Sequence, residues 1–132
     1  MRNVAVYLRM LTRLTGAFQI VLGVLFWTGI ALSLIPIHML VGLTFVLGLW
    51  ALAGLAAASG ASPGLVVLAV AWGLVVPVLG LTQTQLLPGS YHWAVQVIHL
   101  FVGLAAIGMA EVMAAEVMAA EVVGPGASAA GV

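Results

Sequence analysis

The stretch "IPIHMLVGLTFVLGLWALAGLAAASGASPG", residues 35–64, decides the fold. From Ile37 to Ala58 it holds no charge, no proline and no alternation of period two, so it reads as a helix rather than a strand. About 20 helical residues, at 1.5 Å of rise each, cross a hydrocarbon core of about 30 Å, and this run is long enough. Its ends are punctuated. Pro36 cannot continue a helix from upstream but suits the first turn of a new one, and "ASGASPG" closes the run, with Ser62 able to cap and Pro63 to open the next helix.

The same character extends outward on both sides. No Asp, Glu, Lys or Arg occurs from Leu14 to Ala110, 97 consecutive residues, in a chain of 132 that is 65% hydrophobic and 5% charged. A water-soluble fold of this size needs charge over most of its surface, so the solvent here is lipid. The sequence predicts an all-α, integral membrane four-helix bundle, one domain over residues 1–122, with spans at about 14–34, 37–58, 64–81 and 91–110. The first helix should begin near Asn3, and the last should continue to about Val122. Pro77 should kink the third and free the carbonyl of Gly73. Ser90 is the expected N-cap of the fourth. Residues 123–132, ending "GPGASAAGV", read as a disordered tail.

All three basic residues, Arg2, Arg9 and Arg13, precede the uncharged region and fall within about 40° of one another on a helical wheel. The positive-inside bias then makes the N-terminus cytoplasmic, and four crossings return the C-terminus to the same side of a cell membrane. No convincing cleavage site follows the arginines, so a retained span is expected rather than a signal peptide. Glu111, Glu116 and Glu121 recur every five residues, about 500° of rotation, so they spiral around the last helix; loose pairing with the arginines is the expected role.

Several function classes are excluded or disfavoured. Without cysteine there are no disulfides, thiol relays, iron–sulfur clusters or thiolate metal sites. No basic patch suits nucleic acid. Ion-coupled transport normally wants a carboxylate within the membrane, and none lies between residues 14 and 110. Zinc would find at most three histidines, and a hydrolase built on Ser90 and His92 would lack an acid.

Small residues punctuate the spans: Gly16 and Gly23, Gly54 and Ala58, Ala69 and Gly73. They let helices approach closely in lipid, within the chain or between copies. Trp27, Tyr91 and Trp93 suit an interfacial belt, whereas Trp50 and Trp72 fall in mid-span.

The informative polarity lies on the fourth helix. His92, Gln96, His99 and Gly103 follow one another at intervals of four, three and four, forming one narrow stripe. Polar groups facing acyl chains are costly, so the stripe should face the bundle interior or a hydrated cavity. His38 enters the second helix from the same end, and Gln83 and Gln85 lie on the linker beside it. Moreover, "IHMLVGL" (37–43) and "IHLFVGL" (98–104) each place a glycine four residues after a histidine, on two parallel helices. Imidazole can bind haem iron axially, and Gly42 and Gly103 would leave room for the macrocycle. In that spacing, in two helices of four, the pattern resembles small b-type cytochromes and the haem-bearing membrane anchors of respiratory complexes.

Depth counted from the helix starts separates His38 from His99 by roughly 10 Å, so His38 is expected to match His92 better than its look-alike, and the two heptads are not expected to form a ligand pair. The lack of Lys or Arg at that end also leaves haem propionates without basic partners. The expected function is a structural or accessory subunit of a membrane assembly, not itself an enzyme. Its partners would be the bilayer and either other membrane subunits or further copies of the chain, and its histidines would serve as interhelical glue. Two alternatives stand beside it. One is a haem b protein using His38 with His92 or His99. The other is an outward-facing pocket for a quinone or small molecule, lined by His99 and Gln96.

Overall fold

The computed structural model describes residues 1–123. Helix α1 covers Arg2–Trp27, α2 Ile35–Ala58, α3 Pro63–Thr82 and α4 His92–Val123; short 3-10 turns, Leu32–Leu34 and Gln83–Gln85, precede α2 and follow α3. Among the described residues there is no strand, and four helices are long and apolar enough to cross a membrane. Apart from Val123, which ends α4, the tail expected at residues 123–132 lies outside the described residues.

The breaks follow local chemistry. Ser62 caps α3, accepting from the Leu65 N–H at 3.3 Å, and Pro63 opens the helix. Pro77 sits inside α3 without ending it. Two boundaries differ from expectation. α1 stops at Trp27 rather than near Leu34, because Gly29 adopts φ +77 and a Schellman pair closes the helix: Gly29 N–H to Phe26 O at 3.0 Å and Ile30 N–H to Leu25 O at 2.8 Å. At the other boundary Ser90 lies in a turn, where the His92 N–H bonds Gly89 O at 3.2 Å, and α4 starts at His92.

Successive helices alternate in direction, so α2 and α4 run parallel. These two pack on every other helix and on each other, whereas α1 and α3 scarcely touch. The bundle is unequal along its length. Its buried core, including Leu49, Leu52 and Ala53 of α2 and Ala110, Met113 and Val117 of α4, fills the half nearest the arginines. There Glu111 of α4 takes both Arg9 (Nε to Oε2, 2.8 Å) and Arg13 (Nε to Oε1, 2.6 Å) of α1, so the first of the three glutamates ties the two helices together.

Mid-span tryptophans join helices rather than filling space alone. Trp50 Nε1 donates to Val70 O at 3.2 Å and Trp72 Nε1 to Val102 O at 3.0 Å. Gly73 is required beneath Trp50, because a Cβ there would collide with the indole nitrogen. Gly16 likewise admits Ile107, whereas Gly23 and Gly54 face no neighbour.

Candidate intramembrane ligand site

Where the core stops, a cavity of about 830 Å³ begins, bounded by all four helices and both 3-10 turns. This volume lies within the roughly 300–1,000 Å³ of ligand-binding cavities. His38, Gly42, His92, Gln96, His99 and Gly103 all line it, as do Gln83 and Thr84 from the linker. Most of the remaining wall is apolar.

His38 and His99 face one another, with ring centroids 6.5 Å apart and planes inclined at 51°. The separation of these two by depth is thereby corrected. Helix starts are not a level plane, and Gly16 supplies a better reference. A Cβ on Gly16 would meet Ile107 of α4 at 2.9 Å and Phe45 of α2 at 3.5 Å, so those two residues stand at one height. His38 precedes Phe45 by seven residues and His99 precedes Ile107 by eight. On parallel helices that difference is worth only about 1.5 Å. His92 is drawn elsewhere, its Nδ1 lying 3.3 Å from Leu86 O at the cavity's end.

The two ring nitrogens of each histidine have different surroundings. His38 Nδ1 and His99 Nδ1 are buried without a hydrogen-bond partner. Neither Nε2 is among the buried unpartnered atoms, and both rings line the cavity. Phe26 holds the His38 ring edge-on at 5.3 Å, and Gly80 of α3 gives His99 its space, since a Cβ there would stand 3.3 Å from His99 Cε1.

The glycines below the histidines are not equivalent. Around Gly103 a Cβ would meet nothing within 4 Å, whereas the space beside Gly42 holds the amide of Gln19. Gln19 is the site residue that the sequence reading passed over. Its Nε2 donates to His38 O at 2.8 Å, and its Oε1 is buried with no partner. The signal was present, because Gln19 is the one carboxamide of α1 that falls within the uncharged run, and the cost of a polar group in lipid applies there as it does to the stripe on α4.

Chemically, the arrangement offers two neighbouring imidazoles on the wall of a mainly apolar cavity. Among the described residues no three His, Cys, Asp or Glu side chains converge to hold a metal ion. Two facing imidazoles are too few for a bare zinc ion, which takes three or four protein ligands, but they suffice for iron already held in a macrocycle. No protein-family model matches the chain, and neither does any curated protein or solved structure.

Proposed function

We propose that this chain is a membrane-embedded haem b protein, with His38 of α2 and His99 of α4 as the axial ligands. The observation that carries the reading is the ring pair, 6.5 Å from centroid to centroid across the cavity. Imidazole nitrogens bind a metal at about 2 Å, so two rings at this separation leave room for one metal centre between them. Their level placement and the open space at Gly103 support the same reading. Bound there, haem would supply one-electron transfer within the bilayer. The chain's own residues bind it, keep lipid and water from its faces, and offer Gln83, Thr84 and His92 as polar partners near the end where basic residues are lacking. An accessory subunit of a larger membrane assembly could carry such a group. By the positive-inside bias the arginine-bearing end of the bundle would face the cytoplasm, and the histidines would then lie in the outer half.

A dithionite-reduced minus air-oxidised spectrum of detergent-purified protein, expressed with haem supplied, tests the reading. The expected result is a stoichiometric Soret band with sharp low-spin α and β bands. His38→Ala and His99→Ala should each abolish the low-spin signature, and His92→Ala should retain it. A flat spectrum from folded, haem-replete protein would overturn the proposal. Stabilisation of that colourless protein by a quinone would then assign the same cavity to a quinone, and its absence would return the chain to a structural role.

A further inference from the structure

Gln19 and His38 each carry one buried atom without a partner, and the two atoms are complementary: Gln19 Oε1 can only accept, and His38 Nδ1 can donate. The residues are already joined, because Gln19 Nε2 donates to the backbone carbonyl of His38 at 2.8 Å. That bond also fixes the orientation of the amide. Turning it over would aim Oε1 at another oxygen, so the accepting atom is set by the network. Gly42 keeps this arrangement open, as its absent Cβ is the space the Gln19 amide occupies.

We infer that Gln19 is the positioning residue for His38: with the cavity loaded, Gln19 Oε1 accepts a hydrogen bond from His38 Nδ1–H and holds the Nε2 lone pair toward the ligand. The inference rests on the haem reading above and deepens it. Nearly every metal-bound histidine donates its second ring N–H to an acceptor, which fixes the tautomer and raises the basicity of the ligating nitrogen. A buried unmet donor and a buried unmet acceptor on two residues already joined by a hydrogen bond are costly, and pairing them with each other would relieve both at once. His99 has no such arrangement. Its Nδ1 is also buried without a partner, and among the described residues no side chain is hydrogen-bonded to the His99 backbone. The two axial ligands are therefore unequal, His38 being the stronger donor to iron. A stronger donor favours the ferric state and lowers the midpoint potential.

The test is a potentiometric titration of haem-loaded wild type, Gln19→Met and Gly42→Ala. The first variant removes the acceptor at similar volume, and the second displaces the amide without removing it. Both should bind haem with the low-spin spectrum and show a midpoint potential shifted upward. Unchanged potentials in both, with haem retained, would overturn the role of Gln19 and leave the haem reading standing. If wild-type protein takes up no haem, the haem reading fails and the inference, which rests on it, falls with it.

Discussion

Gly42 and Gly103 occupy matching places in two look-alike heptads and serve opposite needs. Alanine at 42 collides with the Gln19 amide. Losing the bond to His38 O should cost about 1 kcal/mol, read as a lowered unfolding temperature in detergent. Alanine at 103 meets nothing within 4 Å and replaces a helix-weakening residue, so stability should hold or rise by up to about 1 kcal/mol. A sequence shows both as the same letter, because what a missing Cβ makes room for is decided by the neighbouring helix. The histidine stripe was legible, since the spacing within one helix fixes which residues share a face. Gln19 was harder to find, having no neighbour of its own kind on α1 to mark a stripe.

At the scale of elements, composition and punctuation located all four helices, and proline and serine marked the start of α3. The end of α1 was misplaced because Thr28-Gly29 continues an apolar run, and only the backbone turn at Gly29 shows the stop. Pairing between helices was the least legible level. The arginines and glutamates suggested a loose association, whereas the structure sets Glu111 between Arg9 and Arg13 in a defined bridge. Because this cluster is partly exposed, Glu111→Gln should cost only about 1 kcal/mol and lower the unfolding temperature modestly, with no effect on ligand binding at the far end. Gly73→Ala is the harsher change. It drives Trp50 from its place on α3, and an overpacked contact of this kind costs about 1–3 kcal/mol.

For the whole molecule, the charge asymmetry yields an orientation that labelling can check, and the absence of native cysteine makes the experiment clean. An impermeant maleimide should label Ser90→Cys in intact cells and reach Ser59→Cys only after the membrane is opened. The reverse pattern would invert the topology and put the histidines toward the cytoplasm. The unequal filling of the bundle has a further consequence. The half built on Leu49, Leu52, Met113 and Val117 is closed by its own side chains, while the half around His38 and His99 has its centre left out. Such a bundle is like a clothes-peg, clamped at one end and parted at the other. If the cavity takes a ligand, the clamped end can be assembled in the membrane first and the parted end filled later, chain before cargo.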